Sequence, residues 1–430
     1  MRTLTLYAAM AAALIAVGVF QSWNVALAIL NLQLISAVMA LGVNIQWGYA
    51  GLFNVGIMGF AATGGVAAVL VSTPPVREAW AAGGTGIALA GLALAATVAA
   101  IWAVRRYVPV FRGAATFLTV IAGYVMIRAA YDPAVGAIEA VDPAKTGYLG
   151  GLGLPIILAW GVGGLLAAGV AWVIGRITLG LRSDYLAIAT LGISEILIAV
   201  MKNEDWLTRG VKNVTGLDRP VPYEVDLQGQ AWFIDLAATV GMDPAVFSGI
   251  YVKALYACLF AAVLLILFLL SQRALNSPWG RMMRAIRDNR DAAEAMGKDV
   301  TRRHLQVFVL GSAVVGIAGA MLTTLDGQFT PGTYNPLRYT FLIWVMVIVG
   351  GSGNNAGAIL GGFVIWFVWV QAEPAGLWVM DLVTAGLGEG SGLRAHLLDA
   401  APHLRLFLMG LILLIVLRFS PRGLIPERTG

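Results

Sequence analysis

Apolar runs of about twenty residues recur along the whole chain, separated by short polar stretches. Read as helices they give candidate spans at 4–21, 25–47, 51–72, 85–104, 113–130, 155–175, 184–201, 250–271, 304–325, 337–351, 355–372 and 403–419. A helix needs about 20 apolar residues to cross a hydrocarbon core of about 30 Å, and several of these runs are short enough to be half-helices, so about 10 to 12 crossings are expected. The fold expected is therefore all-α: a polytopic transmembrane helical bundle with discontinuous helices, one domain over residues 1–430. The stretch Met1 to Phe20, one arginine and then an apolar run, could by itself pass for a signal peptide. The runs that follow favour a first span.

Composition supports this reading and overrides the roughly three soluble domains that length alone suggests. Apolar residues make up 59% of the 430 and charged residues 12%, against about 45–50% and about 25% in soluble domains. So few charges cannot solvate a globular surface. The 28 basic and 23 acidic residues leave a net charge of only +5, which gives no footing for nucleic acid. The single cysteine, Cys258, excludes a disulfide framework, a cysteine zinc site or a CxxC redox pair. His304, His396 and His403 form no ligand cluster in the sequence, so no metal is expected. No segment fits the phosphate loop GxxxxGK[ST]: Gly297-Lys298 is followed by Asp299 and lacks the upstream glycine. A GxSxG elbow, an HExxH helix and a convincing acid-base pair are also missing, so no catalytic residue and no cofactor are assigned to this chain.

Lysine and arginine in the loops set the orientation. Loop 272–303 carries Arg273, Arg281, Arg284, Arg287, Arg290, Lys298, Arg302 and Arg303 against four acidic residues and is expected in the cytoplasm. Loop 202–249 carries seven acidic residues against four basic ones and belongs on the other side. Arg105, Arg106 and Arg112, Arg176 with Arg182, and Arg418 with Arg422 then fall inside, and both termini come out cytoplasmic. Segments 337–351 and 355–372 form either two crossings or a re-entrant hairpin, and either way residues 373–402 lie outside, as an amphipathic surface helix or a connecting loop.

Two glycine clusters interrupt apolar runs: Gly48, Gly51 and Gly56 early, and Gly350, Gly351, Gly353 and Gly357 late. Irregular backbone at membrane depth needs protein or a watery cavity around it, and paired discontinuous helices point towards a solute path. Asn44, Asn54, Asn354 and Asn355 lie close enough to add polar contacts. Close helix packing by small residues is the alternative reading. Glu195 sits about 18 Å along its helix from Ser183 at 1.5 Å per residue. A charge there costs about 2.5–3.5 kcal/mol, so it is expected to face a cavity or the bundle interior, lining the path or pairing with an arginine.

The polar segment after residue 276 is the most informative. Pro278 and Gly297 punctuate a helix of about five turns, with Arg284, Arg287 and Asp291 in one stripe. Such a helix outside the membrane can lie in a partner's groove, or simply be a solvated, positive-inside loop. Arg284-Ala285-Ile286-Arg287-Asp288-Asn289 followed by Ala292-Ala293-Glu294-Ala295-Met296-Gly297 closely resembles the coupling segment of permease subunits of branched-chain amino acid ABC importers. Asp291-Ala292-Ala293 with Gly297 is similar to the Glu-Ala-Ala, three residues, Gly motif of ABC importer permeases, with Asp in place of Glu. Ala40 to Asn44 with Gly48-Tyr49-Ala50-Gly51-Leu52, Ser183 to Leu191 with Glu195-Ile196-Leu197, and Val349 to Gly353 resemble further segments of the same family, in the same order.

The resemblance implies a transport subunit of the bacterial inner membrane, not an enzyme. Partners implied are a second permease, two ATP-binding subunits carrying ATP and magnesium, a periplasmic solute-binding protein and membrane lipid. Arg284, Arg287, Asp291, Ala292, Ala293, Glu294 and Gly297 would then couple to the ATPases. Cargo would be branched-chain or related amino acids, with urea, short amides or nucleosides as alternatives. A self-sufficient channel or secondary carrier is the competing class, and apart from Glu195 the spans offer it little to bind a coupling ion. The chain departs from its relatives at Phe53-Asn54-Val55-Gly56-Ile57, over 73–153 and over 373–402.

Overall fold

The computed structural model describes residues 2–108, 111–143, 146–387 and 391–427. Among these, ten helices are long and apolar enough to cross a membrane. In chain order the main helices are α1 (Arg2–Phe20), α2 (Trp23–Ala50), α3 (Ile57–Ser72), α4 (Arg77–Tyr107), α5 (Arg112–Glu139), α6 (Ile157–Thr178), α7 (Ser183–Asn203), α8 (Pro244–Asn276), α9 (Pro278–Asp288), α10 (Arg290–Ala295), α11 (Val300–Asp326), α12 (Pro336–Gly350), α13 (Asn355–Thr384) and α14 (Gly392–Phe419). Each of the twelve apolar runs carries a helix, so the expected all-helical membrane bundle is what forms. α3 and α12 are the short ones, 16 and 15 residues. At 1.5 Å per residue they reach only about 24 and 22 Å, short of a hydrocarbon core of about 30 Å.

The inner layer is α2, α3, α11, α12 and the first half of α13, and α6 closes it on one side. Small residues permit this packing. A Cβ on Gly64 would lie 1.9 Å from the Gly316 carbonyl oxygen, and one on Gly319 1.9 Å from that of Ala61, so α3 and α11 touch backbone to backbone. By contrast α4 and α5 form a hairpin that leaves most of its apolar surface uncovered.

Long-range contacts fix the two ends. Tyr7 donates to the Ala356 carbonyl at 2.8 Å, which ties α1 to the start of α13, and Arg287 pairs with Glu427 at 2.9 Å, which ties the segment after α14 to the arginine-rich loop. At the opposite end Val214–Thr215 pairs antiparallel with Gln328–Phe329, tying segment 202–249 to the turn after α11.

Two expectations are corrected. Residues 373–384 are neither a separate surface helix nor a loop: α13 runs on through Pro374 to Thr384. Proline has a fixed helical φ and forfeits one ladder bond, and Gly376 beyond it packs against Leu404 of α14. The single five-turn helix after Pro278 is two helices, because Asn289 turns extended (φ −153°, ψ 99°) and its side chain caps α10 by accepting from the Ala292 amide at 3.0 Å. The proposed stripe of Arg284, Arg287 and Asp291 is therefore divided.

Candidate functional site

The two glycine clusters are breaks between helices, and each carries backbone groups that a membrane interior would leave unpaired. At the first, α2 is capped by Gly51, whose φ of +67° is left-handed; the Gly51 and Leu52 amides still bond back to the Trp47 and Gln46 carbonyls, and the chain then runs irregularly to Gly56 and into α3. Side chains supply the partners. The Val55 amide donates to Thr190 Oγ1 (3.1 Å), the Gly56 amide to Asn54 Oδ1 (2.9 Å) and the Gly59 amide to Ser194 Oγ (2.7 Å). Trp344 Nε1 donates to the Asn54 carbonyl (3.1 Å), and Asn54 Nδ2 to Gln46 Oε1 (2.9 Å). Gln46 in turn donates to the Phe308 carbonyl and to Ser312 Oγ (2.9 and 3.0 Å).

The second break lies between α12 and α13, with Gly351 and Gly353 both at positive φ (116° and 80°). Here the chain's own tail supplies the partners. The Leu424 amide donates to the Val349 carbonyl (2.8 Å), the Ile425 amide to that of Gly350 (2.9 Å), and Asn354 Nδ2 to that of Pro426 (3.1 Å). A Cβ on Gly350 would lie 2.1 Å from the Gly357 carbonyl oxygen, and one on Gly351 2.3 Å from that of Ile425. No side chain fits.

The breaks touch. Asn44 Oδ1 accepts from the Gly353 amide (2.9 Å), and Asn44 Nδ2 donates to Asn355 Oδ1 (3.1 Å), which also receives the Tyr49 hydroxyl. Asn355 Nδ2 donates to Gln272 Oε1 at 3.1 Å. Asn44, Asn54 and Asn355 are thus fully buried and engaged with protein groups. Of the residues singled out for a solute path, Asn44, Gly48, Gly51, Asn54, Gly56, Gly350, Gly351 and Gly353 assemble into this one double break.

Arg287 connects the assembly to the polar segment. It projects from α9 into the bundle end, donating to the Gly48 carbonyl of the first break and to Glu427 Oε2 of the tail over the second (2.9 Å). Partial burial lowers the guanidinium pKa, but the carboxylates of Glu427 and Asp288 outweigh it and the net shift is upward. Beside it opens a cavity of about 910 Å³, bounded by Trp47, Phe53, Asp184, Arg287, Arg422 and Glu427. α9 is anchored beneath by Met283 and Ile286, both buried. Asp291, Ala292, Glu294 and Gly297 stay exposed on the far side, Ala293 and Arg284 are half-buried, and Glu294 is paired only with its neighbour Arg290 at 3.0 Å. The residues expected to couple therefore split into an inward hook and an outward face.

Glu195 stands apart from the breaks. Thr190 and Ser194 point inward to the first break, whereas Glu195 lies on the exposed face of α7 and has no ion pair among the described residues. Pairing with an arginine of this chain, one of its two expected roles, is not what forms. Sequence reasoning missed Gln46, Trp344 and Glu427. Gln46 had a visible signal, a polar residue two positions after Asn44 in an apolar run. Glu427 had none, since Ser420 to Glu427 reads as an ordinary tail.

A family model described as branched-chain amino acid transport system / permease component matches residues 25–417. The chain is 27% identical over 271 residues to a probable branched-chain amino acid transport permease protein LivM of Methanocaldococcus jannaschii, covering 61% of this chain and 67% of that one. It is 29% identical over 238 residues to the high-affinity branched-chain amino acid transport system permease protein LivM of Escherichia coli K12, 53% of each. A shorter likeness, 30% over 115 residues, links it to the xylose transport system permease protein XylH of the same organism, covering 26% of this chain and 28% of that protein. The chain thus spans about half the length of the Escherichia coli LivM that it matches (53%). No solved structure matches it.

Proposed function

Because this chain belongs to the permease-component family of branched-chain amino acid transport systems, we propose that it is one of two membrane-spanning subunits of an ATP-driven importer in a bacterial inner membrane. Its cargo in this reading is a branched-chain or related amino acid. The observation that carries the mechanism is Arg287, which holds the Gly48 carbonyl and Glu427 at once. Two ATP-binding subunits, which hold ATP and magnesium, dock on the exposed face formed by Asp288, Asp291, Ala292, Glu294 and Gly297. Closure of those subunits displaces α9 and α10, and Arg287 passes the displacement to both breaks.

Access then switches between the sides as a population shift, to which ATP and the loaded binding protein each contribute by preferring one state. The second permease covers the face of α7 that carries Glu195, since a carboxylate facing lipid at mid-span costs about 2.5–3.5 kcal/mol. A soluble binding protein delivers the amino acid to the end that carries segments 202–249 and 391–403. Co-purification of the tagged chain in mild detergent tests the reading. Recovery of phosphate-loop ATPases and a second permease is expected, whereas a chain that purifies alone and transports solute without ATP overturns it.

A further inference from the structure

A second groove, of about 960 Å³, opens on the side of the bundle at the arginine-rich end, between the last turn of α6 and the first turns of α11. Its polar end gathers Arg176, Arg302 and Arg303 against one carboxylate, Asp299. That carboxylate is occupied in capping α11, accepting from the Arg302 amide at 2.9 Å. None of the three guanidinium groups is ion-paired among the described residues. Arg176 stacks over the Trp172 ring at 4.1 Å, and Arg303 donates to Gln306 Oε1 at 3.1 Å. Further along α11 from its start the polar residues give way to Leu305, Val309 and Leu310, which line the groove with Leu179 of the segment after α6.

The groove is thus graded along the membrane normal. Cationic groups sit at the level of the helix ends, an indole lies at the boundary, and an aliphatic wall faces the hydrocarbon. A free anion uses only the first of these. A protein partner from the aqueous side has no need of the wall. A phospholipid with an anionic headgroup uses all three, because basic pockets between membrane helices attract such headgroups and an indole suits the interface. We propose that this groove holds one anionic phospholipid of the leaflet at the arginine-rich end. Trp279, in the first turn of α9, also lines it and donates to Gln306 at 3.2 Å, so the lipid bridges α6, α11 and the base of the coupling segment. The binding site stands independently of the proposed import function.

The test is native mass spectrometry of the purified full chain titrated with phosphatidylglycerol and, in parallel, phosphatidylcholine. One phosphatidylglycerol per chain is expected to be retained in preference to phosphatidylcholine and not displaced by inorganic phosphate. The exposed single substitution R302Q is expected to weaken it about fivefold and the triple R176Q/R302Q/R303Q about 100-fold, at the worth of one surface charge each. The charge-matched triple R105Q/R106Q/R112Q, on the α4–α5 hairpin, keeps it. Equal retention of both lipids, displacement by phosphate, or the same loss in both triples overturns the proposal.

Discussion

The two breaks solve one problem by different means. Both interrupt helical backbone bonding, but the first is stitched mainly by side chains, from its own Asn54 and from α2, α7 and α12, while the second is stitched mainly by backbone of the C-terminal tail and by glycines that leave no room for a Cβ. A side-chain stitch can be loosened one hydrogen bond at a time. A glycine contact with backbone either fits or does not. The first break is therefore the adjustable one and the second is rigid until the tail is drawn away. Arg287 touches the adjustable break directly and the rigid one through Glu427.

Three substitutions and one truncation sharpen this contrast, from the largest effect to the smallest. Gly350→Val should be the most damaging, since the Gly357 backbone has nowhere to go; overpacking of this kind costs about 3 kcal/mol or more, and loss of monodisperse protein in detergent is the expected result. Asn54→Leu removes the partner of the Gly56 amide and of Gln46, and should cost about 1–3 kcal/mol for each buried group left unpaired, read as lowered thermal stability of inserted protein. Removing residues 421–430 should raise amide exchange at 349–354 while leaving 51–56 protected; equal exposure of both breaks would mean that they are not separately held. Glu294→Ala should barely move stability, because its pair with Arg290 is about half exposed and worth about 0–1 kcal/mol. Its effect is expected in solute-stimulated ATP hydrolysis alone.

Much of the fold was legible because each span announces itself by length. Twelve apolar runs gave twelve helices, and loop arginines gave their alternation. What stayed hidden depended on single side chains in three dimensions. Asn289 reads as one more polar position in a helical stripe, but its carboxamide caps a new helix and ends the old one. Pro374 reads as a terminus, yet α13 carries through it to Thr384, and Gly376 beyond it docks on α14. The glycine clusters were visible as interruptions, whereas the residues that satisfy them come from positions as distant as Thr190, Trp344 and Leu424. Glu195 was expected to face a cavity or the bundle interior, lining the path or pairing with an arginine, because charge avoids lipid. Its place on an exposed face of α7 depends on how the helix is turned about its axis, which one charged position in an apolar run does not reveal.

The central claim is that Arg287 joins the coupling segment to both breaks. The most direct measurement is ATP hydrolysis by the purified complex, with and without loaded binding protein, for the wild type, Arg287→Gln and Glu427→Gln. Intact assembly and near-basal hydrolysis that solute no longer stimulates are predicted for Arg287→Gln, with a partial loss for Glu427→Gln, which frees only the tail. Full stimulation in an assembled Arg287→Gln complex would contradict the claim.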